Sequence, residues 1–331
     1  MPNSKRHVLL VILILLLAPA VWNLAASRYQ HARNPVPGAL YDVEGRQMHI
    51  YCTGTGPYTV LIEAGASADS LGWRGVQRTL SQTTRVCTYD RNGHGWSQPS
   101  PGPHDADTIV RKLHALLDKA AVPRPLILTA HSAGGLYIRA YARQFPKEVA
   151  GAVMIDSSSP AQIDELPGWH SDWEQDKRNL PGEIWKDRLQ VWSGWDRLTG
   201  NCHNAPSKEL EYLSAEYDAE TCRPEYAGEE DNEVPYFEDS FKQAARLITF
   251  GDIPLLIITR DTQSGKQNDA IWDREQEQLK SLSPRSWRII ASGAGHGVHH
   301  ARPEIVTSEI DCLINYLQGG PAPRLGTTRI R

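Results

Sequence analysis

Residues 126–142 read LILTAHSAGGLYIRAYA, and this segment joins two apolar runs of different period. The first run is short and continuous, as in a strand buried on both faces, whereas the second has helical spacing. Between them lies Ser132, with the small residues Ala130 and Gly134 two positions before and after it. Small residues there permit a tight turn that holds a serine in a strained backbone conformation. The segment therefore predicts a strand, a sharp turn that carries Ser132, and a helix.

The rest of the chain repeats this alternation of strands and helices. Most of the predicted strands are continuous in apolar residues, which is typical of a parallel sheet covered by helices on both faces. The predicted strands are 47–52, 59–63, 84–89, 125–130, 149–155, 254–259 and 287–291. The predicted helices are 107–121, 135–144, 269–282 and 303–317. We therefore predict an α/β fold with a mostly parallel, doubly wound sheet.

One long segment, residues 157–251, does not follow the alternation. It has no clear strand and is rich in acidic residues, prolines and tryptophans. We predict that it is a helical lid, inserted between the strands at 149–155 and 254–259 and lying over the carboxyl edge of the strands. The core would then be residues 34–156 and 252–320. The tryptophans fit the interior of a small helical lid better than a wall of the substrate site.

The N-terminus differs from the rest of the chain because residues 8–26 (VLLVILILLLAPAVWNLAA) carry no charge. The length fits a single-pass membrane anchor within residues 1–33, with the catalytic domain outside the cytoplasm. The alternative is a cleaved signal segment and a secreted or periplasmic protein. The net charge of −4 gives no field of one sign, which argues against a nucleic-acid partner.

The cysteines agree with export without requiring it. Cys202 and Cys222 flank a polar segment, and a disulfide between them is possible in an oxidising compartment. Cys52, Cys87 and Cys312 lie in apolar contexts, where we expect them to be small core residues. No Cys or His spacing indicates a metal site.

A serine hydroxyl is a weak nucleophile, so Ser132 needs a base within hydrogen-bond reach. The best candidate is His296 in SGAGHGVHH, which follows the last predicted strand. His131 is adjacent to Ser132 but is fixed on the turn and points elsewhere. His299 and His300 are close in sequence to His296, but the Gly-His-Gly setting favours His296.

Several motifs now occur in a fixed order along the chain. After the strand at 59–63 comes AGASADSLGW, after the strand at 84–89 comes DRNGHGWS, and GAGH is followed by Pro303. Together with the turn at Ser132, these motifs resemble the α/β-hydrolase superfamily, in its serine-nucleophile, esterase- and lipase-like branch. The resemblance covers residues 47–317, apart from the predicted lid. It implies that the backbone N–H groups of Ala66 and Ala133 form an oxyanion hole, which stabilises the negative charge of a tetrahedral intermediate.

The acid that orients the histidine is where this sequence departs from the family pattern. The family usually has Gly-x-x-Asp after the strand at 254–259, but here those positions are Arg260 and Gln263. Asp261 could serve with a shifted loop, and Asp269 only with a longer one. A second solution within the family uses the end of the preceding strand, where Asp156 stands. Asp156 and Asp261 remain equal candidates at this point.

These residues predict a serine hydrolase that cleaves a carboxylic ester or a related small-molecule acyl substrate, with no cofactor and no metal. Ser132 would attack, His296 would move the proton, and Asp156 or Asp261 would orient the imidazole. The same residues also fit amide hydrolysis, lactone opening, acyl transfer or cofactor-independent haloperoxidation. An alternative of another class is a non-catalytic, membrane-tethered binding protein with a hydrolase fold.

Overall fold

The computed structural model describes residues 2–202, 208–229, 231–262, 267–323 and 326–330. These residues form a nine-stranded sheet in the order β1-β2-β4-β3-β5-β6-β7-β8-β9. The strands are β1 (Ala39–Val43), β2 (Arg46–Thr53), β3 (Thr59–Glu63), β4 (Arg85–Tyr89), β5 (Leu126–His131), β6 (Val149–Ile155), β7 (Leu255–Arg260), β8 (Ser286–Ala291) and β9 (Gly326–Ile330). The α-helices are α1 (Pro2–Arg33), α2 (Arg74–Leu80), α3 (Ala106–Lys119), α4 (Gly134–Gln144), α5 (Gln162–Glu165), α6 (Trp169–Ser193), α7 (Trp195–Thr199), α8 (Ser214–Thr221), α9 (Phe237–Ala245), α10 (Gln267–Gln278), α11 (Val298–Ala301) and α12 (Pro303–Leu317).

The predicted α/β fold class is confirmed. The pairs β1–β2 and β2–β4 are antiparallel, and the strands from β4 to β9 pair in parallel. One face of the sheet is covered by α3, α4 and α9, and the other by α2 and α12. Strands β3 and β5 are buried along their whole length, which explains their continuous apolar sequences.

The two outermost strands, β1 and β9, are not predicted from the sequence. Strand β1 (ALYDV) is short and pairs on one side only, and strand β9 (GTTRI) is largely exposed and polar. Edge strands bury little apolar surface, so they lack the continuous hydrophobic run that identifies the central strands. Their formation depends on a neighbouring strand that offers its backbone hydrogen bonds.

Helices α5 to α9 lie between β6 and β7, in the segment that we call the helical insertion (residues 157–251). Helix α9 contributes Phe241 to the core on the face formed by α3 and α4. The N-terminus of α3 is tied to the same helix, because the backbone N–H of Ala106 donates to Ser240 Oγ at 3.0 Å. The end of the insertion is therefore part of the main core.

The prediction of an N-terminal membrane anchor is wrong. Among the residues that the structure describes, no helix has both the length and the apolar character needed to cross a membrane. The predicted span is interrupted by Asn23, which is buried against the insertion: its side chain donates to the carbonyl of Val191 at 2.8 Å and accepts from Arg197 Nε at 2.7 Å. A polar side chain that is hydrogen-bonded to another part of the protein is unsuited to contact with lipid. The predicted membrane partner and the placement of the catalytic domain across a membrane are corrected with it.

The cysteines correct a second expectation. The structure contains the predicted Cys202–Cys222 disulfide, but Cys52 and Cys87 also form one instead of being separate core thiols. Cys52 in β2 lies directly opposite Cys87 in β4, with their Cα atoms 4.1 Å apart. This pairing depends on the antiparallel register of two strands that are distant in sequence, which no local pattern reveals. Cys312 is a half-buried free thiol.

Candidate active site

Ser132 lies on a sharp turn between β5 and α4. Its φ of 52° is in the left-handed region, which is strained for a residue with a side chain. The turn is crowded: a Cβ added to Gly134 would lie 2.8 Å from the carbonyl oxygens of Glu63 and Ala64. A small residue is therefore required at position 134, two residues after Ser132, because α4 approaches the end of β3 closely.

His296 and Asp156 lie beside Ser132 in one chain of hydrogen bonds. His296 Nε2 is 3.0 Å from Ser132 Oγ, and His296 Nδ1 is 2.7 Å from Asp156 Oδ2. The three residues follow β5, β6 and β8, whose carboxyl ends meet at the same edge of the parallel sheet. A nucleophile, a base and an orienting carboxylate at such distances form the arrangement used for covalent acyl transfer.

The carboxylate of Asp156 is fully buried and hydrogen-bonded on both oxygens. Oδ1 accepts from Trp272 Nε1 at 2.9 Å and from the backbone N–H of Arg260 at 3.2 Å, while Oδ2 accepts from His296 Nδ1. Arg260 Nη1 approaches Oδ2 at 3.4 Å. These donors fix the orientation of the carboxylate and provide hydrogen bonds to both of its buried oxygens.

The other acid candidates lie elsewhere. Asp261 forms an ion pair with Arg329 in β9 at 2.6 Å, and Asp269 approaches Arg260 at 3.3 Å. Neither is joined to His296 by a hydrogen bond between described residues, whereas Asp156 is. Gln263, at the family's usual acid position, lies outside the described residues. The structure therefore separates two carboxylates that the sequence left equal.

His131 is held away from the Ser132 hydroxyl and supports the loop after β8 that carries His296, which we call the histidine loop. Its Nε2 is 2.9 Å from the backbone carbonyl of His296, and its ring lies 4.6 Å from the His296 ring and 4.5 Å from the His299 ring. Because Nε2 faces a carbonyl oxygen, it carries the proton, and the ring is a hydrogen-bond donor to the loop. His131 thus positions the backbone of the candidate base.

Burial lowers the pKa of His131 to about 4, and the neighbouring His296 adds to this effect. The ordinary histidine pKa in an unfolded chain is about 6.5, so between about pH 6.5 and 4 the unfolded chain binds a proton that the folded protein does not. This contribution to stability is complete above pH 6.5 and is lost as the pH falls. We expect His131 to account for a fall of about 2 to 3 kcal/mol in the free energy of unfolding between pH 7 and 4.5.

Urea unfolding of the wild type and His131→Gln at both pH values measures this contribution. Both proteins contain the other groups that titrate in this range, such as Glu63, whose raised pKa changes stability with pH in the opposite direction. The difference between the two proteins therefore isolates the contribution of His131. His31→Gln, an exposed position on α1, is the matched control and should keep the wild-type pH dependence. An unchanged pH dependence in His131→Gln would contradict the assignment.

The predicted oxyanion residues flank Ser132. Ala133 is the next residue and precedes α4, so its N–H is at the positive end of that helix. Ala66 lies on the loop after β3 and borders the open space beside Ser132. Backbone donors at these two places suit a developing negative charge.

The loop that carries Ala66 is held by Arg91, a residue to which the sequence analysis assigned no role. The guanidinium donates to the backbone carbonyls of Ala64 at 3.1 Å and Gly65 at 2.7 Å. It also forms buried ion pairs with Glu63 and with Glu233 of the helical insertion. Arg91 belongs to the DRNGHGWS motif, which could have drawn attention to it, but no local signal connects Glu233 to this site.

Burial determines the charges around Arg91. It raises the pKa of Glu63 to about 7, although Arg91 and Tyr89 oppose the shift. Burial alone would also raise the pKa of Glu233, but the attraction of Arg91 and His94 outweighs it and lowers that pKa. At neutral pH Glu233 is therefore more fully ionised than Glu63 and is the main counter-ion of Arg91. Its ion pair connects the insertion electrostatically to the loop at Ala66.

Two clefts open from Ser132. The imidazole cleft, about 420 Å³, is lined by residues that include Asp69, Trp73, Tyr217, Thr221, His296, His299 and His300. The aromatic cleft, about 350 Å³, is lined by residues that include Ala133, Leu166, Trp169, Trp173, Phe237 and Phe241. Ser132 and Ala66 line both clefts. Trp169 and Trp173, which the sequence favoured as interior residues of a lid, thus line the aromatic cleft.

The residues that the structure describes contain no group of three or more His, Cys, Asp or Glu side chains that could hold a metal ion. The histidines of the imidazole cleft contact one another through their rings: His299 lies 4.5 Å from His131 and 3.9 Å from His300, between ring centroids.

Residues 58–303 match the family model described as alpha/beta hydrolase fold. The uncharacterized protein YbdG of Bacillus subtilis is 29% identical over 127 residues, which cover 38% of this chain and 39% of YbdG. This chain therefore matches well under half of that relative's length.

Solved structures agree on the fold. A thermophilic esterase from Thermogutta terrifontis has a TM-score of 0.60 at 20% identity, covering 84% of this chain and 97% of that one. An epoxide hydrolase from Vigna radiata has a TM-score of 0.64 at 18% identity, covering 84% and 98%. Likeness at this level of identity concerns the fold alone.

Proposed function

Because the chain belongs to the alpha/beta hydrolase family, we propose that it is a serine hydrolase that cleaves carboxylic esters through an acyl-enzyme intermediate. The observation that carries this proposal is the hydrogen-bonded series Ser132–His296–Asp156, with distances of 3.0 and 2.7 Å. A serine in strained backbone at a cleft, with a base and a carboxylate in line, is arranged for nucleophilic attack.

In the proposed reaction, Ser132 Oγ attacks the ester carbonyl carbon while His296 Nε2 accepts the hydroxyl proton. The N–H groups of Ala66 and Ala133 stabilise the resulting oxyanion, and Asp156 stabilises the imidazolium. His296 then gives the proton to the departing alcohol oxygen as the carbon–oxygen bond breaks. A water molecule, deprotonated by His296, attacks the acyl-serine, and the carboxylic acid leaves as Ser132 regains its proton.

The helical insertion serves in this proposal as a lid on a core of residues 34–156 and 252–320. Trp169, Trp173, Phe237 and Phe241 come from the insertion and line the aromatic cleft beside Ser132. Glu233 ties the insertion to Arg91 and so to the loop that carries Ala66. Removal of apolar walls and of this ion pair would expose the acyl site to water.

Labelling with a fluorophosphonate distinguishes an enzyme from a non-catalytic binding protein of the same fold. We expect one label per chain, attached to the tryptic peptide that contains Ser132, because the reagent reacts with activated serines. Mass spectrometry gives the stoichiometry and the site. A folded protein that is not labelled would overturn the proposed function, since a serine without a working base is not activated.

A further inference from the structure

Two residues that line the imidazole cleft each carry a buried polar atom that lacks a partner among the described residues: Tyr217 Oη and His299 Nδ1. The Tyr217 residue is 7% exposed and His299 is 6% exposed. Buried polar groups in folded proteins are nearly always hydrogen-bonded, so unpaired groups at the wall of a cleft point to a polar ligand. Tyr217 and His299 line the same space as Ser132 and His296.

The charges of this cleft favour a neutral ligand that carries hydroxyl groups. Burial, helped by the nearby His131 and His300, lowers the pKa of His299 well below its usual value, so the ring is uncharged at neutral pH. Its position is fixed by stacking on Trp73, at 4.1 Å between ring centroids. Burial and the neighbouring Asp90 raise the pKa of Asp69 to about 6, so Asp69 is mostly a carboxylate at pH 7. A carboxylate accepts hydroxyl protons and repels anions.

The position of His296 determines which half of an ester lies in which cleft. His296 Nε2 must deliver a proton to the departing alcohol oxygen, so the alcohol lies on the side of His296. His296 lines the imidazole cleft but not the aromatic one, whereas Ala133 lines the aromatic cleft. With the carbonyl oxygen at Ala133 and Ala66, the acyl group extends into the aromatic cleft.

We propose that the substrates are esters that join an aromatic or bulky apolar acyl group to an uncharged, hydroxylated alcohol, which Tyr217 and His299 hold in the imidazole cleft. This assignment rests on the proposed serine hydrolase function and specifies its substrate class. The apolar walls of Trp169, Phe237 and Phe241 suit the acyl group, and the unpaired polar atoms suit the alcohol.

Two esters that differ only in the alcohol test the proposal: 2,3-dihydroxypropyl phenylacetate and propyl phenylacetate. We expect the wild type to prefer the dihydroxypropyl ester by about tenfold in kcat/KM, because the propyl ester leaves the buried groups unpaired. Tyr217→Phe removes one partner and should reduce the preference to about threefold. Tyr212→Phe, an exposed tyrosine near α8, is the matched control and should keep the wild-type preference.

A second comparison tests the acyl side. Trp169→Leu should weaken the preference for phenylacetate over acetate esters by about tenfold and leave the preference for the hydroxylated alcohol unchanged. Equal kcat/KM values for the two phenylacetates, with Ser132 still labelled by fluorophosphonate, would overturn the alcohol assignment and leave the proposed function standing. Absence of both labelling and ester turnover would instead overturn the proposed function itself.

Discussion

Ser132→Ala is expected to lower kcat for ester hydrolysis by about five to six orders of magnitude. In the proposed reaction this residue provides the oxygen that forms the acyl-enzyme, and Nε2 of the candidate base His296 lies 3.0 Å from that oxygen. Without it, hydrolysis falls back on direct attack by water, helped only by binding and by the oxyanion donors. Alanine retains a Cβ, so the strained turn at φ 52° should persist.

Steady-state hydrolysis of phenylacetate esters measures the loss, and thermal unfolding shows whether the variant is folded. Ser171→Ala, at an exposed position on α6, is the matched control and should keep the wild-type rate. A folded Ser132→Ala protein with more than about 1% of the wild-type kcat would contradict the role of Ser132, because other serine nucleophiles lose far more.

Asp156→Asn is expected to reduce kcat by about four orders of magnitude. Asp156 Oδ2 accepts the hydrogen of His296 Nδ1, which leaves Nε2 free to receive the proton of Ser132. An asparagine amide group at that place would donate to Nδ1 and put the imidazole proton on Nε2 instead. The ring would then keep its position but could not act as a base.

Asp261→Asn is the matched control, because both positions follow central strands and the change is the same. Asp261 is paired with Arg329, so its replacement should alter kcat by no more than about twofold to threefold. A tautomer change removes the base at every pH, so kcat of Asp156→Asn should stay low across the whole pH range. This pH profile separates a role in catalysis from a purely structural one. Similar losses in the two variants would show that neither carboxylate is the orienting acid.

How much of the site could be predicted depended on how close together in the sequence the residues of each feature lie. The turn at Ser132 is contiguous in sequence, and the small neighbours it needs stand directly beside it. The contacts at Gly134 show why: the backbone of β3 lies where a side chain would be. Arg91 could be suspected from its motif, but its partner Glu233 lies 142 residues away in the insertion.

The structures of the N-terminal segment and of the Cys52–Cys87 pair depend instead on residues that are distant in the sequence. The uncharged run at residues 8–26 predicted a membrane span from composition alone, but the structure buries Asn23 against Val191 and Arg197. The Cys52–Cys87 disulfide depends on the register of β2 against β4. In both cases the deciding partner is remote in sequence, so local hydrophobicity gave the wrong expectation.

The amino-acid sequence by itself determined the α/β fold class and the strand–turn–helix segment that presents Ser132, because hydrophobic period and small turn residues act over a few neighbouring positions. Only the tertiary structure decided which carboxylate meets His296, since Asp156 and Asp261 both follow buried strands. Strand order places Asp156 between Ser132 and the histidine loop, and Trp272 and Arg260 orient it. Asp261 is instead paired with Arg329 of β9, the edge strand that the sequence did not predict.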